Sequence, residues 1–525
     1  MANKNLFNTL IGNSGPKANT RNEAGGLAYQ MSPKQSLAQY AATGCFNGTF
    51  YSSGADQVDA VLELCEQIEP EFIARTALYA RNEGHMKDMP ALLCAVLSVK
   101  APGLLIKIFN QVIDSPKMLR NFVQIMRSGI VGRRSLGTLP KQLIRNWLEA
   151  RAAEQLFVGS IGNDPSLADV IKMVHPKPAT PERSALYAYL IGRESNWSDL
   201  PELIGQYEKF KRNTNPGKVA VPDVPFQMLT ALPLTKKDWG QIARNASWQM
   251  TRMNLNTFLR HGVFESAELT GIVANRLRNP RKIAAARVFP YQLMAAYMNS
   301  ANEVPQIILN ALQDAMEIAI KNVPRVTGKV YVFPDVSGSM HSPVTGHRAG
   351  STSKVRCLDV AALVAAAILR KNPEAEVIPF ESKAITCRLN PRDSVMTNAR
   401  TLASLPAGGT NCSAPLEYLN RQKAKGDLLI YVSDNESWVD SPHYGWCGGG
   451  ATATMQEWAT FKRRNRQAKM VCIDIQPYAH TQAVERADIV NVGGFSDQVF
   501  KLIANVSKGQ ASENHWVNEI ERMRL

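Results

Sequence analysis

The chain lacks most of the short signatures that announce chemistry. None of its eight cysteines falls in a CxxC pair, so neither a zinc ribbon nor a disulfide framework is indicated, and reduced thiols are expected. There is no GxxxxGK[ST] phosphate loop, no GxSxG elbow and no HExxH, and the eight histidines show no ligand spacing. No run of about 18 apolar residues occurs, and the first residues carry no apolar leader segment. These absences predict a soluble, cytoplasmic protein with no membrane contact and no catalytic activity of its own.

What is present is chain length, charge and one chemical motif. At 525 residues, with 45% hydrophobic and 20% charged content, the sequence suits several globular domains with large cores. The net charge is +15. Most of the excess lies before residue 326, where 37 Lys+Arg face 26 Asp+Glu. A basic balance of this size points to polyanions, nucleic acid first among them.

Residues 1–30 are polar and rich in Gly and Asn, and read as a flexible or loosely docked arm. From 31 to 325 the pattern is helices between short polar or Gly/Pro breaks. In EPEFIARTALYARNEG, Phe72, Ile73, Ala77 and Ala80 share one stripe at helical spacing. Ser115 before Pro116 and Thr180 before Pro181 are N-cap and N1 signals. Helices of this length in succession suggest an all-α solenoid of HEAT type. Trp147, Trp239 and Trp248 are read as core.

Residues 326–525 alternate strands and helices, which predicts an α/β, doubly wound, mostly parallel sheet. Strands are expected in VYVFPD, EVIPFES, AITCRL, DLLIYVSD, KMVCIDI and IVNVG. The stretch KVYVFPDVSGSM ends a buried strand with Asp335, Ser337 and Ser339. Thr410 follows the Gly408-Gly409 pair, and Asp434 ends a second strand. Hard oxygens at the carboxyl ends of parallel strands suit a divalent cation, Mg²⁺ first, with Mn²⁺ or Ca²⁺ as alternatives.

Two blocks carry the basic residues best suited to phosphates. Arg133, Arg134, Lys141 and Arg145 surround a Gly-containing loop and a helix start. Lys172, His175 and Lys177 flank a Pro-bounded turn, where the imidazole either meets a base or phosphate or ends its helix. Arg252, Arg260, Arg276, Arg278, Arg281, Lys282 and Arg287 form a third basic group, assigned to a cavity or its rim.

Several segments then resemble a known family in the right order. They are MSPKQSLAQYAATGCFNGTFYSSG (Met31–Gly54) with TALYARNEGHMKDMPALLCAVLS, GRRSLGTLPKQLIRNWL, KMVHPKPATPERS and NASWQMTRMNLNTFLRHGVF. They look like blocks of the TROVE module of the Ro autoantigen family. The constellation Asp335-x-Ser337-x-Ser339…Thr410…Asp434 resembles the metal-ion-dependent adhesion site (MIDAS) of a von Willebrand factor A domain.

The resemblance implies a monomeric ring of HEAT-like helices closed by the A domain. It implies Y RNA, a small noncoding RNA, on the outer basic surface and single-stranded ends of misfolded RNA in the hole. Noncoding RNA quality control follows from it, with an exoribonuclease such as polynucleotide phosphorylase as partner. It also implies that Ser337, Ser339 and Thr410 coordinate the cation directly, with one position open to a partner's carboxylate. The chain departs from the family in FVGSIGNDPS, where that family carries further basic residues and this loop carries none. The alternative reading is a metal-dependent adhesion or assembly scaffold whose basic helices grip acidic protein.

Overall fold

The computed structural model describes residues 16–43, 53–213, 217–286, 288, 290–323, 325–347, 354–440, 450–494, 497–509 and 514–525. They form two compact units. The first comprises Met1–Ile68, Val288–Met298 and Met316–Arg522; the second comprises Glu69–Arg287, Asn299–Ala315 and Met523–Leu525.

The second unit is helical, and its helices begin where the sequence places their caps. Ser115 accepts from the Met118 N–H at 3.4 Å and Thr180 from the Arg183 N–H at 3.1 Å, each with proline next in the chain. The helix Pro70–Asn82 buries Phe72, Ile73, Ala77 and Ala80, as their stripe requires. Asp88–Lys100 is buried from Met89 through Ser98, because it is apolar on every side and packs against the helices before and after it. Trp147 is fully buried and donates its indole N–H to the Ile113 carbonyl; Trp248 donates to the Leu277 carbonyl at 2.9 Å.

The first unit is built on a five-stranded parallel sheet. Its strands are β3 (Val330–Pro334), β4 (Glu376–Val377), β5 (Leu428–Ser433), β6 (Lys469–Asp474) and β8 (Ile489–Gly493), in the order β4-β3-β5-β6-β8. One face carries Tyr331, Phe333, Leu429, Tyr431, Met470 and Cys472 against Leu416, Met455, Trp458 and Phe461. The helix Cys357–Lys371 packs on β3 and β5, and Val330, Val332, Ile430 and Val432, which alternate with the first set, are buried too. Both faces are therefore covered, the doubly wound arrangement expected. The order reverses between β3 and β5, a switch point where the loops after the two strands diverge.

Two expectations need correction. AITCRL is not a strand: pairing along the edge past β4 ends with a single bridge from Phe380 to Asp335, and Phe380 also pairs back on Ala384, so the chain folds on itself. Nor do residues 16–30 form a loose arm; residues 1–15 lie outside the described residues. Strands β1 (Thr20–Arg21), β2 (Leu27–Gln30) and β7 (His480–Thr481) make a three-stranded antiparallel sheet. The following helix, Pro33–Thr43, packs on β8 and on His515–Glu521, and Gln39 donates to the Asn491 carbonyl at 3.1 Å. Strands of two to four residues are too short to show alternation, and their partner lies some 450 positions onward.

The turn between β1 and β2 is tied down by Asn22. Its amide donates to the Ser437 carbonyl and its oxygen accepts from the Gly26 N–H, both at 2.6 Å. A Cβ on Gly26 would stand 2.0 Å from the Ser437 carbonyl oxygen, so only glycine fits there. Asn22→Ala leaves the buried Ser437 carbonyl without its donor and is expected to cost about 1–3 kcal/mol. Chemical denaturation of the full chain measures this; an unchanged midpoint would show that the turn contributes nothing to stability.

Candidate functional site

In the first unit, the chemistry gathers at the carboxyl ends of β3, β5 and β6. Each of these strands runs apolar and then meets an aspartate: Asp335 just past β3, Asp434 just past β5, and Asp474 as the last residue of β6. All three are buried. Asp335 accepts from the Ser433 hydroxyl at 2.6 Å and from the Ser337 N–H at 2.8 Å. The Ser337 and Ser339 hydroxyls are 3.4 Å apart, and Ser339 bonds the Asp434 carboxylate.

The Thr410 loop is brought to the same place by backbone contacts. Gly338 donates its N–H to the Gly408 carbonyl at 3.0 Å, and the Thr410 carbonyl accepts from Trp438 and Val439. A Cβ on Gly409 would lie 2.6 Å from Val439, which is why the loop needs glycine. Asp335, Ser337, Ser339 and Asp434 therefore meet in one buried spot, and the backbone of the Thr410 loop packs beside it, with Thr410 itself 2% exposed.

Burial dominates the electrostatics. It pushes the Asp335 carboxyl well above its ordinary range, and the facing Asp434 adds to the shift; Asp434 and Asp474 are raised by the same desolvation. Two buried carboxyls, with the Ser337 and Ser339 hydroxyls beside them, form an all-oxygen donor set suited to a hard divalent cation. Among the described residues no three His, Cys, Asp or Glu side chains converge as metal ligands, and a site of this composition does not need them.

The sequence reading missed Glu436, His480 and Asp474. Glu436 is fully buried, accepts from the Ala24 N–H at 3.1 Å, and is pushed up to about 10 by burial and then by Asp434. Its other oxygen lies 3.6 Å from Nε2 of His480, whose imidazole is pulled down to about 4 by burial. Both shifts favour the uncharged form. Asp474 was legible as a third strand ending in Asp; the other two gave no local signal.

In the second unit, the two basic blocks meet. Arg145, on the helix Thr138–Ala150, donates its Nε–H to the carbonyl of Val174, the residue before His175. His175 is exposed and ends its helix in the left-handed conformation, φ 51°, its N–H bonded to the Ile171 carbonyl at 2.9 Å. It is thus a helix end whose imidazole still faces solvent. Arg134, Lys172 and Lys177 are exposed; Arg133 and Lys141 are half-buried. The Arg133 guanidinium lies over Gly137, the uncapped start of the helix that carries Lys141. Among the described residues none of these five cations is ion-paired.

The third basic group does not hold as one set. Arg276 is buried, and its guanidinium donates to the Ala243 and Arg244 carbonyls at 2.6 Å and to Thr251 at 3.0 Å. It ties helices together and faces no ligand. Arg260, Arg278, Arg281 and Lys282 are exposed, Arg252 is half-buried, and Arg287 lies outside the described residues.

Comparison with known proteins places these features. Residues 329–507 match the family of Ro60 vWA domains. The chain is 23% identical over 528 residues to the RNA-binding protein RO60 of Deinococcus radiodurans, covering 93% of this chain and 95% of that one. It is 26% identical over 212 residues to the RNA-binding protein RO60 of Caenorhabditis elegans, covering 38% of this chain and 32% of that one. The crystal structure of the Deinococcus radiodurans RO (RSR) protein superposes with a TM-score of 0.62 at 19% identity, covering 91% of this chain and all of that one. The sheet unit thus matches the Ro60 vWA domain over residues 329–507, and the chain as a whole is similar to an RNA-binding protein RO60 along nearly its full length.

Proposed function

We propose that the protein is an RNA-binding scaffold that holds a structured, Y-like small noncoding RNA on the basic surface of its helical unit. The observation that carries this reading is the Arg145–Val174 bond, which joins two separate basic blocks into one surface. Arg133, Arg134, Lys141, Lys172 and Lys177 then offer unpaired cations to phosphates, while the exposed imidazole of His175 is free to meet a base. The naming of two relatives as RNA-binding proteins supports it. Capture of single-stranded ends of misfolded RNA, and hand-over to an exoribonuclease, belong to the same reading.

The vWA domain completes the scaffold as a cation-dependent docking module. Ser337, Ser339 and Thr410 would hold Mg²⁺ with Asp335 and Asp434, and the bound cation supplies one open position to an acidic oxygen of a partner protein. No catalytic step is assigned to it.

Replacing Arg133, Lys141 and His175 by Ala is expected to weaken binding of a stem-loop RNA at least tenfold near 0.1 M salt. The log–log salt slope should flatten by about two, one for each lost cation–phosphate contact. Unchanged affinity and slope, or no RNA bound at low salt, would overturn the reading. Mg²⁺ is expected to raise the thermal midpoint of the full chain, and Asp335→Ala to abolish that rise. A midpoint indifferent to Mg²⁺ in the native chain would remove the cation from the scheme.

A further inference from the structure

The loops at the other end of the same sheet carry a second concentration of positive charge. The helix Ala414–Arg421 ends in Arg421 and is followed by Lys423 and Lys425 before β5 begins. The helix Ala453–Arg464 ends in Lys462, Arg463 and Arg464, followed by Arg466, before β6 begins. These loops precede their strands, whereas Asp335 and Asp434 follow theirs. A six-residue parallel strand is about 20 Å long, so the two features occupy opposite edges of the domain.

Hydrogen bonds hold the two loops together. Asn465, between Arg464 and Arg466, donates to the Ala424 carbonyl at 3.2 Å and accepts from the Gly426 N–H at 3.2 Å. Ala424 and Gly426 flank Lys425, so the lysines of one loop interleave with the arginines of the other. Asn420 adds a second tie: its amide donates to the Glu457 carbonyl at 2.9 Å, and its oxygen receives the Arg464 guanidinium.

Accounting for each charge separates those with a structural task from those without one. Arg421 pairs with Glu417 at 2.8 Å, and Lys462 with Asp488 at 3.2 Å while also bonding two loop carbonyls. Asp427 is exposed and accepts from the Lys329 N–H. Lys423, Lys425, Arg463, Arg464 and Arg466 are exposed, and among the described residues none of them is ion-paired. Cations in the last turn of a helix favour its dipole, which accounts for Arg463 and Arg464. It does not account for Arg466, Lys423 or Lys425, which lie beyond the helices.

We propose that this edge of the vWA domain is a second nucleic-acid surface, which grips the phosphodiester backbone of RNA. Exposed large apolar side chains, the anchors of a protein interface, do not occur in either loop. No aromatic ring is exposed there to stack a base, so the contact is to phosphates and independent of sequence. Arg464 is held by Asn420 through one N–H and is exposed, so its guanidinium keeps further donors for a phosphate. The surface extends the RNA reading above to a second domain, and so rests on it.

The test is a fourfold variant of the full chain, Lys423→Ala, Lys425→Ala, Arg463→Ala and Arg466→Ala. Arg464 is kept because it ties the loops. Affinity for a long stem-loop RNA is measured against salt, beside the Arg133/Lys141/His175 variant. The expected result is a loss of tenfold or more near 0.1 M salt, with the salt slope flatter by about three to four. Photocrosslinks to RNA should also map to residues 421–426 and 462–469. If the fourfold variant binds as tightly as the native chain while the helical-unit variant weakens, this inference falls and the function proposed above stands. If only the fourfold variant weakens, the vWA surface stands and the helical surface falls. Retention of polyglutamate but not RNA would overturn both in favour of an acidic protein partner.

Discussion

The constraint on which the vWA domain depends is the burial of acid groups where a parallel sheet ends. Asp335, Asp434 and Asp474 follow apolar strands and lie side by side, each raised by desolvation. Donors are supplied to each of them: Ser433 and the Ser337 N–H to Asp335, Ser339 to Asp434, and Asn435 to Asp474 at 3.0 Å. These bonds lower the cost of ionisation without removing it, because like charges in a water-poor site still repel. Either a proton or a cation must make up the difference. The hydroxyls of Ser337, Ser339 and Thr410 suit the second, since they would coordinate without adding negative charge.

The same constraint explains the outer wall of this site. The amino-terminal turn covers residues 436 and 437, with Ala24 donating to Glu436 and Asn22 to Ser437. Under that cover burial raises the Glu436 carboxyl and lowers the His480 imidazole, shifts that both favour the uncharged forms. The basic surfaces follow the opposite rule: their cations stay in water, where they cost little and remain available to a polyanion.

Local chemistry was legible in the sequence; long-range pairing was not. The Asp335 motif and Asp434 stood out because each sits at a strand end, and Gly408-Gly409-Thr410 because its glycines mark a loop, which lies between the helices Val395–Ala403 and Ala414–Arg421. Trp147, Trp239 and Trp248 were read as core and are buried. Arg276 was misplaced because a charge count cannot show where a guanidinium points, and its carbonyl acceptors lie about thirty residues earlier. Residues 16–30 were misread because β2 is completed only by His480 and Thr481. Glu436 and His480 escaped notice for the same reason: the contact between them comes from folding, and neither stands in a motif.

The most direct measurement is calorimetric titration of the full chain with Mg²⁺ near pH 6, in two buffers of different ionisation enthalpy. Burial raises these carboxyls toward their protonated forms, and a cation that takes the place of those protons releases them, so binding should release protons and its heat should depend on the buffer. Binding whose heat is the same in both buffers, or no binding at all, would contradict a site organised around acid groups that cannot ionise on their own.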